Sequence, residues 1–208
     1  MNETVLRSVR LALASLITVA LVSQLMIGLS RSGLSVANFF SYFTVLSNTM
    51  AVVMLAMLAF GPDRDEARWF AVFRGAVTVY MSVTGLIYAV VLAPNLAAIS
   101  VPEPWIDWTI HVVGPVAVII DWFLNPPPRR LDAHALWIWL IFPAVYLMYS
   151  LARGPIVDWY AYPFLDPAQD EGYAGVGLWS LVVAAVVFGF SCVYFWWVNR
   201  ANREPAET

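Results

Sequence analysis

The chain has 208 residues, 61% of them hydrophobic and 12% charged, with a mean hydropathy of +0.73, more apolar surface than a water-soluble domain of this size can hide. A formal net charge of -3, with its arginines dispersed along the chain, argues against a nucleic-acid partner. Cys192 is the only cysteine, which excludes an internal disulfide and a thiolate metal cluster, and all 11 basic residues are Arg, so Schiff-base chemistry of the retinal or pyridoxal kind has no lysine to start from.

A bilayer-crossing helix needs about 20 predominantly apolar residues, a condition met near 7–30, 37–60, 69–93, 105–124, 134–152 and 177–198. The first stretch follows Arg7 and Arg10 but lacks a small-residue cleavage site before Arg31, so it is expected to stay as a mature helix rather than leave as a signal peptide. Arg31-Ser32-Gly33 separates it from the second, and Gly61-Pro62-Asp63-Arg64-Asp65-Glu66 separates the second from the third. Pro94-Asn95 through Pro102-Glu103-Pro104, then Asn125-Pro126-Pro127-Pro128-Arg129-Arg130, bound the fourth, and Arg153-Gly154-Pro155 ends the fifth. No internal repeat is evident, so residues 1–200 read as one all-α integral membrane bundle of six transmembrane helices, followed by a polar tail, 201–208, expected to be disordered.

Orientation follows from arginine placement. Arg7, Arg10, Arg64, Arg68, Arg129, Arg130, Arg200 and Arg203 fall on one side of the alternating spans, and only Arg31 and Arg153 on the other. Both termini are therefore expected in the cytoplasm, with Arg74 snorkelling to the same side from one turn inside the third span. The long loop of about 153–176, bearing Asp158, Asp166, Asp170 and Glu171, then faces outward.

Ionisable and polar groups inside a span are costly, so each is weighed as a functional candidate against a packing role. The second span opens Asn38-Phe39-Phe40-Ser41-Tyr42-Phe43-Thr44-Val45-Leu46-Ser47-Asn48, with Thr44 and Asn48 four apart on one face. The fourth opens Trp105-Ile106-Asp107-Trp108-Thr109-Ile110-His111, with Asp107 and His111 in the same relation. Both helices start at the same surface, which puts Thr44 about seven residues in and His111 about six, roughly 10 Å deep at 1.5 Å per residue. A Thr hydroxyl becomes a nucleophile when a base takes its proton, and a neutral His is the usual base, with Asp107 placed to hold its tautomer. Against this stand plain alternatives: Thr44 bonding back to its own backbone, Asp107 marking a wet interface, and Asn48 joining helices.

Elsewhere, Asp121 is expected in an ion pair near the inner face, and His134 reads as an interfacial residue. Trp69, Trp105, Trp108, Trp122, Trp137, Trp139, Trp196 and Trp197 lie near span ends and read as interface belts. Asp158-Trp159-Tyr160-Ala161-Tyr162-Pro163-Phe164-Leu165-Asp166 mixes rings, acids and proline, as an amphipathic lid or a further belt would.

With the aromatic-Phe43-Thr44 segment, His111-Val112-Val113-Gly114-Pro115 and Tyr162-Pro163-Phe164-Leu165 in this order, the chain resembles the androgen-induced-gene family of multipass membrane proteins. The second-span string is especially similar to bacterial members. Characterised animal members are threonine hydrolases of fatty acid esters of hydroxy fatty acids, and their catalytic Thr and His fall where Thr44 and His111 stand. The resemblance implies a lipid ester substrate, no cofactor, no metal and a bacterial plasma-membrane location. Asn48, Tyr42 and Tyr162 are candidate oxyanion donors. Two other functions fit the same residues: a small-solute or proton-coupled transporter, in which Asp107, His111, Thr44 and Asn48 line a polar path, and a structural subunit.

Overall fold

A computed structural model describes residues 2–31, 33–61, 66–94, 103–169 and 172–202. Among these the chain is helical throughout, and six helices are long and apolar enough to cross a membrane. The spans match the six expected from hydropathy, with different ends. α1 (Glu3–Arg31) carries an acid in its first turn and a base in its last, complementing the helix dipole. Gly33, at φ +63°, reverses the chain, and the Leu34 N–H closes on the Gly28 carbonyl at 3.1 Å.

The second span is interrupted. A four-residue α2 (Val36–Phe39), capped by the Ser35 hydroxyl on the Asn38 N–H, ends before Ser41-Tyr42, and α3 (Phe43–Phe60) starts afresh. The break persists because distant tyrosines take up what the helix gives up. The Tyr146 hydroxyl donates to the Ser41 carbonyl at 2.9 Å, and Ser41 Oγ bonds the Tyr149 hydroxyl at 2.7 Å.

α4 (Arg68–Ile87) is the central helix, packed against α3, α6, α7 and α8, and it widens at its end into a π-helical turn, Tyr88–Leu92. The fourth span runs α5 (Pro104–Trp108), a second π-helical turn (Thr109–Val113) and α6 (Gly114–Leu124). Pro115 explains that second turn: it offers no N–H, and its ring cannot coexist with an α-helical carbonyl four residues back, at His111. α7 (His134–Val157) ends on Asp158 in the left-handed region, and the loop through a 3₁₀ turn at Pro163–Leu165 leads to α8 (Gly172–Ala201).

Side-chain contacts fix the antiparallel order. The Arg7 guanidinium donates to the Gly61 carbonyl at 2.7 Å, Asn199 exchanges hydrogen bonds with the Leu131 backbone, and Asn202 Nδ2 reaches the Pro127 carbonyl at 2.9 Å. The start of α1, the end of α3, the start of α7 and the end of α8 therefore share one end of the bundle. Asn202 is docked there; residues 203–208 of the expected tail lie outside the described residues. Large side chains such as Val19, Met26, Trp137, Met148, Leu178 and Leu181 face outward, as a hydrocarbon solvent requires.

Three expectations are corrected in the interior. Arg74 does not snorkel: it is 3% exposed, bonded to Glu66 at 2.6 Å, to Asp121 at 3.3 Å and to the Asn125 carbonyl at 2.7 Å. Asp121 likewise has buried partners rather than interfacial ones, its second guanidinium being Arg10 at 2.7 Å. Trp122 and Trp139 are core residues, not belt anchors: they are 1% and 0% exposed, and Trp139 donates to the Val72 carbonyl while lying where a Cβ on Gly75 would stand.

A carboxylate held between two buried guanidiniums is costly to remove, because the cations stay behind. Asp121→Ala should destabilise the bundle by about 3 to 5 kcal/mol, read as a lower denaturation midpoint in mixed micelles, and adding Arg10→Met should recover part of the loss. A single variant with an unchanged midpoint would contradict a structural role for the network.

Candidate active site

Thr44 is the second residue of α3 and not, as counted from the sequence, about seven residues into a helix, because the chain breaks at Ser41-Tyr42. Its backbone N–H belongs to the first turn and has no acceptor within the helix. The Tyr162 hydroxyl, from the loop before α8, supplies one at 3.2 Å and lies 3.3 Å from Thr44 Oγ1. Tyr162 is 8% exposed, stacked on Phe164 and edge-on to Tyr42. Burial pushes the phenol of Tyr162 above its ordinary pKa, so it stays protonated and able to donate.

His111 sits in the π-helical turn of the fourth span, its Nδ1 2.9 Å from Asp107 Oδ1. The Tyr88 hydroxyl donates to the other oxygen, Asp107 Oδ2, and the Tyr88 ring stacks on the imidazole with centroids 4.3 Å apart and planes 7° from parallel. An ionised carboxylate only accepts, so it fixes the hydrogen of neutral His111 on Nδ1 and leaves Nε2 as the basic nitrogen. Tyr88 was not singled out from sequence. Its place at the end of the third span, the same end at which the fourth begins, is the signal that could have found it.

Asn48 joins the two halves. Its Nδ2 donates to the Thr44 carbonyl at 2.9 Å and to the Ile110 carbonyl, next to His111, at 3.0 Å. Both amide hydrogens are thereby used, so Asn48 clamps α3 to the fourth span and offers no donor to an oxyanion. Tyr42 packs edge-on against Trp159 and Tyr162 and lines the cavity described next.

Two cavities meet here. One, of about 610 Å³, is lined by Tyr42, Thr44, Tyr88, Asp107, His111 and Tyr162 among others. The second, of about 290 Å³, lies between α3, α4, α7 and α8, and Val83, Leu140, Pro143, Leu147 and Val187 make its wall almost wholly apolar. Thr44, Leu92 and Tyr162 belong to both. The loop expected as a lid contributes Tyr160, Ala161 and Tyr162 to the polar cavity, and Phe164 and Leu165 to the apolar one. Among the described residues no group of His, Cys, Asp and Glu is arranged to hold a metal.

No protein-family model, no curated protein and no solved structure matches the chain.

The Tyr162 hydroxyl acts as a cap supplied from a distant loop, so Tyr162→Phe should cost about 1 to 2 kcal/mol of stability and speed hydrogen exchange at the Thr44 amide. Exchange at Thr44 as slow as in the parent protein would show that its N–H is held some other way.

Proposed function

We propose that the protein is an intramembrane hydrolase of lipid esters, with Thr44 as nucleophile and His111 as general base. The observation that carries the reading is the position of Thr44 on the wall common to an apolar cavity and to the polar cavity containing the Asp107-His111 pair. An ester of a long-chain acid has this division: an acyl chain for the apolar side and a carbonyl at the junction. The resemblance carried by Phe43-Thr44, His111 and Tyr162-Pro163-Phe164-Leu165 supports the same pair.

In the proposed reaction Thr44 Oγ1 attacks the ester carbonyl while Nε2 of His111 takes the hydroxyl proton. The tetrahedral oxyanion collapses, the proton passes from His111 to the departing alkoxide, and the alcohol leaves an acyl-threonine. Water, deprotonated by the same nitrogen, then releases the acid and restores Thr44. Tyr162 and the first-turn N–H groups of α3 are the donors nearest the nascent charge. Asp107 holds the His111 tautomer, and Tyr88 fixes the Asp107 carboxylate by its hydroxyl and the imidazole plane by its ring.

The arginine distribution supports termini in the cytoplasm and, with them, the two cavities toward the outer face, and the likeness of the second-span string to bacterial members supports a plasma membrane. In a Cys192→Ser background, an impermeant maleimide on intact cells should label Asp158→Cys and leave Arg200→Cys unlabelled; the reverse pattern would invert the topology.

Thr44→Ala or His111→Ala in purified protein should lower lipid-ester hydrolysis by about 100-fold or more and abolish labelling by a fluorophosphonate. Tyr88→Phe, which keeps the stacked ring, should lower kcat by about tenfold with KM little changed. Full activity in either alanine variant would refute the mechanism, and His111-dependent solute uptake into proteoliposomes without ester cleavage would replace it with transport.

A further inference from the structure

The charge lining the polar cavity restricts the alcohol half of the substrate. If the acyl chain occupies the apolar cavity and the carbonyl lies at Thr44, the alcohol portion must enter the cavity lined by Glu103, Asp107 and Asp166. Among the described residues no arginine lines it. At this end of the bundle the spans are joined by segments whose basic residues are Arg31 and Arg153. Arg31, largely exposed, lies 3.7 Å from Glu103, and Arg153 is bonded to Asn38 at 2.6 Å with its guanidinium over the Trp159 ring. In the sequence, 95–102 is uncharged and 170–171 is Asp170-Glu171, so neither stretch carries a base.

Two of the acids already accept hydrogen bonds within the protein. Asp107 accepts from Tyr88 and His111, and Asp166 accepts from the Ala168 N–H at 2.9 Å and from Gln169 Nε2 at 3.3 Å. A carboxylate arriving on the alcohol half would leave water for a partly buried wall of its own sign, where Arg31 already faces Glu103. A neutral or cationic group meets no such opposition.

Resting on the hydrolase reading, we infer that the site takes acyl esters whose alcohol portion bears no negative charge and discriminates against those ending in a free carboxylate. This parts from an ester of a hydroxy fatty acid, whose alcohol half carries that carboxylate, while keeping the same bond as the one cleaved.

The test uses full-length protein in nanodiscs of zwitterionic phosphatidylcholine with three oleoyl esters of 12-hydroxydodecanoic acid derivatives: the free acid, its methyl ester and its choline ester. Three analogues with an ether in place of the oleoyl ester are run beside them for binding, and cleavage of the esters is read as release of oleate. The methyl and choline compounds should exceed the free acid by about tenfold or more, both in kcat/KM for the esters and in affinity for the ethers. The margin should shrink by about threefold or more in Glu103→Gln/Asp166→Asn and in high salt, which compares each lipid with itself and so cancels differences in partitioning. Salt dependence in the parent protein answers the question even if the double variant fails to fold. Equal or better binding of the free-acid ether would overturn the inference, whether or not any ester is cleaved. The expected order among the ethers with no ester cleaved would sustain it and remove the hydrolytic reading instead.

Discussion

In a bilayer every backbone donor and acceptor must find a partner inside the protein, and that constraint governs how this bundle departs from six plain helices. Two of these departures are matched by side chains from other segments. The gap at Ser41-Tyr42 is closed by Tyr146 on the Ser41 carbonyl and by Tyr162 on the Thr44 N–H. The π-helical turn ahead of Pro115 is met by Asn48, whose amide binds the Ile110 carbonyl. These irregularities face one another, and the polar cavity lies between them. The groups that repair the backbone are thus the same groups that define the candidate site.

The two ends of the bundle handle charge in opposite ways. At the end holding the start of α1, Arg10, Arg74, Asp121 and Glu66 form a buried array in which each guanidinium meets a carboxylate, so the helices are joined without a net field. Such an array is a weak source of net stability but a strict one of register, since any sliding of α1 or α4 against α6 leaves a charge alone. At the other end Asp107 is held by a phenol and an imidazole, and no arginine among the described residues lines the cavity. The first arrangement locks the helices. The second leaves a basic imidazole nitrogen in an electronegative, partly enclosed space.

The six spans were legible because hydropathy over about 20 residues depends on composition alone, and Pro, Gly and Arg mark the turns. The Asp107-His111 contact was legible for a similar reason, as residues four apart meet on one helix face whatever surrounds them. What required tertiary partners was not. Nothing local announces a break at Ser41-Tyr42, which exists through Tyr146, Tyr149 and Tyr162, so the depth assigned to Thr44 rested on a helix that starts later. Trp122 and Trp139 sit near span ends in sequence, but Gly75 leaves room for Trp139 within the core, and a composition rule for interface belts has no access to that fit. Tyr88 was passed over because its partner Asp107 lies across a turn of unassigned geometry.

The break before α3 bears on reactivity as well as shape. Were the second span one continuous helix, the Thr44 N–H would be bound to the carbonyl four residues back, and the hydroxyl would sit in mid-helix, where Thr bonds its own backbone. Restarting the helix at Phe43 instead puts Thr44 in the first turn, at the positive end of an 18-residue dipole. A negative charge developing on a carbonyl attached to Thr44 Oγ1 would then form beside the first turn of α3 and the Tyr162 phenol, in surroundings that raise the strength of each interaction. A structural threonine gains from that position the contact of its hydroxyl with Tyr162. For a nucleophile it supplies the electrostatic stabilisation that a weakly acidic hydroxyl lacks, and Asn48 holds that turn against the one bearing His111.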